Sequence, residues 1–373
     1  MFKNYRVQDY NFRLTIYVIS LSILGILVIG SAAQSLQSRQ IMGFAIGLLF
    51  MFLLSIFDFK YFLKFYWAIY IVNILLLLFV QIFGSSAGGA QRWVSIVGIR
   101  FQPSETCKIM LILFFAMFIT KHKESISKLG MLLILTVLFL PPLSLVYIQP
   151  DLSTSIIIVL IFIGIIFVGG ISYKIVLTVL AVTIPTLLIL YNIIMQPGQT
   201  LINDYQKNRI LAWRNPEEFR YSIGAQQSNS MMAIGSGQLE GKGLNNNVIT
   251  SVKNGDFIPA PQTDFIFAII GEELGFIGAS ITIILIFLVV FECFIIAKRS
   301  NSFEGKLVAS GIGTLIGFQG FVNMAVATGL LPTTGIPLPF VSYGLTSLIS
   351  CFIGIGIVLN IGLQCERTYI KFK

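Results

Sequence analysis

Histidine occurs once in these 373 residues, cysteine four times, and acidic residues sixteen times. Each scarcity excludes something. His122 sits between Lys121 and Lys123 in a short basic connector, where a solvated loop residue is the ordinary reading. Cys107, Cys293, Cys351 and Cys365 form no CxxC pair and no disulfide framework. Away from His122, Cys-His, Ser-His-Asp and histidine–metal designs therefore lack a necessary residue. Such a site must work with carboxylates, Lys or Arg, hydroxyls, and at most an oxygen-ligated divalent ion. Charge of either sign is also scarce: 11% of residues are charged, against about 25% in a soluble domain.

What fills the chain is apolar. Hydrophobic residues make up 56% of it, in runs near the ~20 residues that cross a bilayer. Ten spans are expected, at about 13–33, 40–57, 65–83, 104–120, 129–147, 152–169, 175–196, 272–297, 307–331 and 341–364. A lipid environment gives backbone groups no other partner, so all should be helices. The expected fold class is an all-α polytopic membrane protein, with 1–373 as one transmembrane domain. Pro185 predicts a kink in the seventh span. The run at 14–33 could pass for a signal peptide, but its length and the nine spans after it point to an anchor.

Lys and Arg predict the orientation. With the N-terminus in the cytoplasm, inner segments carry fifteen of them and short outer loops only four, Arg39, Arg92, Arg100 and Lys108. Both termini are thus expected inside. The formal net charge of +9 falls on the inner side, as a topology signal and an attraction to anionic lipid. It is weak grounds for binding nucleic acid, and none is expected.

The polar, broken segments gather on the opposite, outer side. Residues 84–103 form a glycine-rich turn and a strand-like piece. Residues 197–263 form one large extracytoplasmic loop between spans seven and eight, too long for a mere connector. Within it, 222–235 reads as a short helix lying on the membrane. Residues 332–344 hold Pro332, Pro337 and Pro339 and cannot be a regular helix. Non-helical backbone at membrane depth must line a wet cavity or lie in protein.

Acids at span edges need a partner, water or a purpose. Glu105 and Lys108 lie three apart at the start of span four and face one way, as an ion pair or as a polar couple in an outer cavity. Asp151 precedes span six, where it could simply cap a helix. Asp264 opens a helical stretch of about 34 residues, near 50 Å at ~1.5 Å each. Its first turns are expected above the hydrocarbon, with Glu272 and Glu273 at the membrane surface and Asp264 on a rigid post over the outer mouth. A carboxylate there could take a proton from a bound hydroxyl. Arg92, Arg100, Lys108, Lys207, Arg209 and Arg214 could meet phosphate. Trp93 could stack on a sugar or sit in an interfacial belt. From the residues alone, a lipid-linked sugar transferase and a transporter both remain open.

Six motifs in order narrow this. GAQRW at 89–93, FQPSE at 101–105 with Lys108, QPDLSTS at 149–155, AIGSGQLEGKG at 233–243, QTDFIFAIIGEELG at 262–275 and LPTTGIPLPFVSYG at 331–344 resemble the SEDS family, which includes RodA and FtsW. The resemblance runs nearly end to end. It implies a peptidoglycan glycosyltransferase that polymerises lipid II outside the cytoplasmic membrane of a bacterium. It implies Asp264 as the essential acid and Glu105 with Lys108 as a polar cavity pair. It makes Arg92, Trp93, Gln102, Asp151, Arg209, Ser342 and Tyr343 candidates for substrate contact or cavity support. It implies a class B penicillin-binding protein as partner, within a cell-elongation complex of membrane proteins. Asp264 is either a general base or the holder of a divalent cation such as Mg or Mn, and no organic cofactor is expected. Gly335-Ile336-Pro337-Leu338-Pro339 resembles RodA more than FtsW. The alternatives are an FtsW-type division polymerase, a flippase for lipid-linked sugars, and a scaffold that only recruits cell-wall enzymes. Three positions depart from the family pattern: Gln262 where His is frequent, Ser153 for a usual Gly, and Leu345-Thr346 for Gly-Ser. Leu345 raises a specific concern, because leucine does not take the positive φ open to glycine.

Overall fold

The computed structural model describes residues 9–87, 90–96, 99–196, 204–219, 221–245, 251, 255 and 257–365. Both chain ends, several parts of the large loop and Asp256 lie outside the described residues.

The apolar runs form helices α1 (Phe12–Ala32), α2 (Gln34–Ile56), α4 (Tyr66–Phe83), α5 (Pro103–Lys121), α6 (Leu129–Ile148), α7 (Leu152–Val168), α8 (Tyr173–Met195), α11 (Ile266–Arg299), α12 (Phe303–Ala327) and α13 (Leu345–Leu363). A short α3 (Lys60–Lys64) precedes α4. Eight of these helices are long and apolar enough to cross a membrane. The other two expected spans are α7, apolar but only 17 residues long, and α8, apolar over Tyr173–Thr183. The chain is an all-α polytopic membrane protein.

Burial sorts the helices into layers. In α5 and α12, 78% of the apolar window is buried, against 22% in α4 and 28% in α2 and α6. The outer helices turn Leu49, Phe50, Ile71, Leu75, Leu133 and Val137 outward, the face a lipid solvent rewards. The inner helices bury Gln319, Asn323 and Asn360. Small residues let the layers close: a Cβ on Gly47 of α2 would meet Phe352 of α13 at 2.3 Å.

Connections at one end of the bundle carry the irregular structure. Between α4 and α5 runs an antiparallel sheet of β1 (Ser85–Ala87), β2 (Ala90–Ile96) and β3 (Ile99–Phe101), in that order. Within the large loop lie α9 (Asp204–Arg214) and α10 (Ala225–Ser236). The helix expected over 222–235 is α10, and it docks on protein. Gln227 Nε2 donates to Val326 O and Leu331 O at 2.9 and 2.6 Å, and Ser230 Oγ to Ala327 O at 2.8 Å.

The post expected under Asp264 is also different. Helix α11 breaks at Gly275, whose φ of 64° is non-helical, and its first turns are buried from Ile266 to Glu273. The break frees backbone donors, which need other acceptors. The segment 237–243 supplies them: Phe276 N donates to Gln238 O at 2.8 Å and Ile277 N to Leu239 O at 3.2 Å. In return Lys242 N and Gly243 N donate to Glu272 O and Glu273 O, each at 2.9 Å. Only glycine fits here, because a Cβ on Gly275 would lie 2.4 Å from Gly241 N. Glu272 and Glu273 lock this clasp. Lys242 Nζ meets Glu272 Oε1 at 2.7 Å, and Ser31 Oγ donates to Glu273 Oε1 at 2.6 Å.

Candidate active site

Asp264 lies just before α11 in a turn, and Phe265, not Asp264, occupies the N-cap. Its backbone is what is tied down. Asn323 Nδ2 donates to Asp264 O at 2.8 Å, Ser342 Oγ to Thr263 O at 2.6 Å, and Tyr343 N to Gln262 O at 2.9 Å. The carboxylate itself takes no hydrogen bond or ion pair from the described residues. It rests over Gly335, where a Cβ would stand 3.4 Å from Oδ2. Gly335 has φ +82°, a conformation glycine adopts without strain. Asp264 keeps partial exposure, yet protein crowds its carboxylate. That desolvation pushes its pKa from 3.8 to about 6, with Arg209 and Arg92 pulling it down and Asp151 pushing it up.

Those three residues arrive from separate elements. Arg92 on β2 reaches the α6–α7 turn: Nε donates to Gln149 O at 3.1 Å, Nη2 to Pro150 O, and Nη1 lies 3.7 Å from Asp151 Oδ1. Asp151 does cap α7, accepting from Thr154 N at 3.2 Å. Its other oxygen accepts from Gln102 Nε2 at 3.5 Å. Arg209 on α9 donates to Thr333 O at 3.2 Å, on the proline-rich loop that holds Gly335. Ser153 Oγ donates to the next carbonyl, Thr334 O.

Other candidates stand apart. Side chains alternate along a strand, so Trp93 occupies the face of β2 opposite to Arg92. Lys207 Nζ donates to Gln196 O at 2.9 Å and Arg214 to the Tyr191 hydroxyl at 3.1 Å, which ties both to the end of α8. Arg100 is exposed. Ser342 and Tyr343 hold the backbone just before Asp264, at Thr263 and Gln262. Leu345 causes no strain, because it begins α13 while Phe340 takes the positive φ, 64°.

Glu105 and Lys108 form a buried ion pair of 2.9 Å, each about 3% exposed. Lys108 Nζ also donates to Gln319 Oε1 at 2.8 Å, and Gln319 Nε2 passes the connection to Pro337 O at 3.1 Å. Lys108 also borders a tightly packed apolar seam formed by Leu111, Phe115, Phe139, Ile158, Ile161, Phe162 and Ile165. The pair and Asp264 therefore meet through α12 and the proline-rich loop. Sequence reasoning passed over the residues that join them, Gln319 and Asn323. Their signal was two amides at i and i+4 within an apolar span, where polar groups are costly.

The profile of the cell cycle protein family FtsW/RodA/SpoVE matches residues 11–367. The chain belongs to this family. The peptidoglycan glycosyltransferase MrdB of Escherichia coli K12 is 34% identical over 349 residues, covering 92% of this chain and 91% of that protein. A probable peptidoglycan glycosyltransferase FtsW of Wigglesworthia glossinidia brevipalpis is 36% identical, covering 95% of this chain and 94% of that one. Among solved structures, a chain from a peptidoglycan synthase complex that coordinates polymerization and crosslinking superposes with TM-score 0.76 at 27% identity, covering 95% of this chain and 97% of that one. The rod shape determining protein RodA of Thermus thermophilus does so with TM-score 0.68 at 26% identity, covering 95% and 96%. Both the RodA and FtsW branches of the FtsW/RodA/SpoVE family are thus similar to this chain.

Proposed function

We propose that this FtsW/RodA/SpoVE-family chain is a peptidoglycan glycosyltransferase that joins lipid II into β-1,4-linked glycan at the outer face of the cytoplasmic membrane. One observation carries the reading of the site. Asp264 is anchored through its backbone carbonyl while no described residue donates to its carboxylate, which lies within the field of Arg209 and Arg92.

The reaction inverts the donor sugar. The acceptor's GlcNAc 4-hydroxyl attacks C1 of the donor from the face opposite its α-linked diphosphate. A C1–O4 bond forms, the C1–O bond to diphosphate breaks, and the lipid diphosphate leaves with the bonding pair. Asp264 takes the hydroxyl proton. A carboxylate with a pKa about 6 is mostly ionised at neutral pH and a stronger base than an ordinary aspartate. Arg209 and Arg92 bear on the negative charge of the diphosphate. The buried Lys108–Glu105 pair supports the loop from beneath and adds its field.

A divalent cation fits as an alternative partner of Asp264. No cluster of three His, Cys, Asp or Glu exists among the described residues, but Mg²⁺ needs only one or two carboxylates when substrate phosphates complete its shell. Asp264 would hold it, and it would neutralise charge on the leaving diphosphate.

The partner is a class B penicillin-binding protein, a reading supported by the likeness to a chain of a synthase complex. The duty is cell elongation, supported by the Gly335–Pro339 stretch. The outward orientation is supported by the Lys and Arg distribution.

The test uses purified chain in detergent, alone and with its transpeptidase, on labelled lipid II. Glycan should form without membrane compartments, which a flippase cannot do. Asp264→Asn should abolish it while the protein stays folded and keeps its partner. Undiminished polymer from that variant defeats the role given to Asp264.

A further inference from the structure

Helix α12 presents two side-chain amides one turn apart, and both are buried. Each bridges two segments that no regular hydrogen-bond ladder joins. Asn323 Nδ2 donates to Asp264 O at 2.8 Å and to Ile336 O at 2.7 Å. Gln319 donates to Pro337 O at 3.1 Å and accepts from Lys108 at 2.8 Å. The two bridges land on neighbouring carbonyls of one loop.

We infer that Asn323 is the positioning residue for Asp264, and that Gln319 couples the same loop to the Glu105–Lys108 pair. The inference rests on the reading of Asp264 as the reacting acid.

Three observations carry it. First, Ala268 N donates to Phe265 O, so the first turn of α11 does not use Asp264 O, and Asn323 does. Second, the other carbonyl held by Asn323 belongs to Ile336, the residue after Gly335. One amide thus draws together the two segments that seat the Asp264 carboxylate over Gly335. Third, both bonds made by the Asn323 side chain are donated by Nδ2, and no described residue donates to its buried Oδ1. Among the described residues the amide is tied through its donors.

Asn323 touches no reacting atom in this account. It sets where the Asp264 carboxylate sits and leaves the Arg92 and Arg209 contacts intact. Its loss should therefore appear in kcat and spare KM. A misplacement near 1 Å can lower a rate by ~10²-fold.

The experiment is steady-state glycan synthesis from lipid II by the full chain with its transpeptidase partner. Asn323→Ala, Asn323→Leu, Asn323→Gln and Gln319→Met are compared with Asp264→Asn, with thermal unfolding alongside. Asn323→Leu keeps the branched shape with larger methyl groups and removes both donors; Asn323→Gln keeps the donors on a longer stem. The expected result is folded Ala and Leu variants with kcat down roughly 10–10²-fold, KM within about twofold, and partial recovery in Asn323→Gln. Gln319→Met should lower kcat less, and its loss combined with Asn323→Ala should fall short of additive.

Wild-type kcat in both the Ala and Leu variants overturns the inference. So does failure of both to fold, which would make Asn323 a residue of the fold alone, and so does a rise in KM without a fall in kcat. If instead Asp264→Asn remains fully active, the reading of Asp264 fails first, whatever Asn323 does.

Discussion

Asp264 and the Glu272–Glu273 pair belong to one short motif, yet the chain treats them in opposite ways. The glutamates are bound by their side chains: Glu272 to Lys242 and Glu273 to Ser31. Asp264 is bound by its backbone, and no described residue bonds its carboxylate. The glutamates close a clasp around a broken helix, while the aspartate faces an arginine-bearing edge. In a chain with so few acids, what separates structure from chemistry is which atoms are tied. An acid gripped through a side-chain oxygen, as Glu272 and Glu273 are, holds the fold. An acid held through its backbone carbonyl, with its side-chain oxygens unbonded by the described residues, is open to a substrate.

The largest effect that can test this contrast is on rate. Asp264→Asn should lower glycan synthesis by ~10²–10⁴-fold, the range for general-base catalysis. It should not cost stability. Burial holds the Asp264 pKa at about 6 against 3.8 for the free group. Above pH 6 the folded chain therefore carries a charge it disfavours, and the neutral amide should raise the unfolding temperature at neutral pH. A less stable Asp264→Asn protein would mean the carboxylate has a structural bond after all.

Next in size comes the buried pair. Lys108→Met leaves Glu105 without its cation and Gln319 without its donor. Breaking a buried ion pair from one side costs about 3–5 kcal/mol, measurable as a fall in unfolding temperature. Lys108→Met combined with Glu105→Gln should restore most of it. No restoration would show that Lys108 acts mainly through Gln319.

The architecture was legible because it rests on composition. Apolar runs of fixed length report helices directly, and the spans read from sequence overlap the helices closely. The clustering of glycine and proline likewise marked the irregular end. The site was only half legible. Asp264, Arg92 and Arg209 announce themselves by charge in an apolar chain. Asn323 and Gln319 do not, since their meaning depends on which carbonyls face them across the bundle. The post imagined beneath Asp264 failed for a related reason. Periodicity carries across Gly275 without a mark, and the partner that opens the helix there, residues 237–243, is remote in sequence. The same holds for α10, whose Gln227 and Ser230 satisfy carbonyls at the end of α12 that are remote in sequence.

A smaller effect concerns pH. On the proposed role of Asp264 as the base, activity should fall as pH drops through about 6. Arg209 lowers that pKa, so Arg209→Gln should move the acid limb upward as well as weaken lipid II binding. An acid limb that stays in place in Arg209→Gln would separate the arginine from the aspartate electrostatically and leave Arg209 as a support for Thr333 alone.

The smallest effect is expected on the other side of the comparison. Glu272→Gln keeps the shape of the clasp and an acceptor for Lys242 Nζ, but removes the charge from a 2.7 Å contact. Lys242 is partly exposed, with 24% of its side chain accessible, so water screens part of the loss. A cost of roughly 1–2 kcal/mol is reasonable for one charged hydrogen bond. The backbone bonds of Lys242 and Gly243 to the broken helix remain, so the clasp should loosen without opening. Activity should stay close to wild type, because Asp264 is held from α12 and the proline-rich loop, not from the clasp. If Glu272→Gln silenced the enzyme as thoroughly as Asp264→Asn, the division between a structural and a chemical acid in this motif would collapse, and the clasp would have to be counted as part of the reacting site.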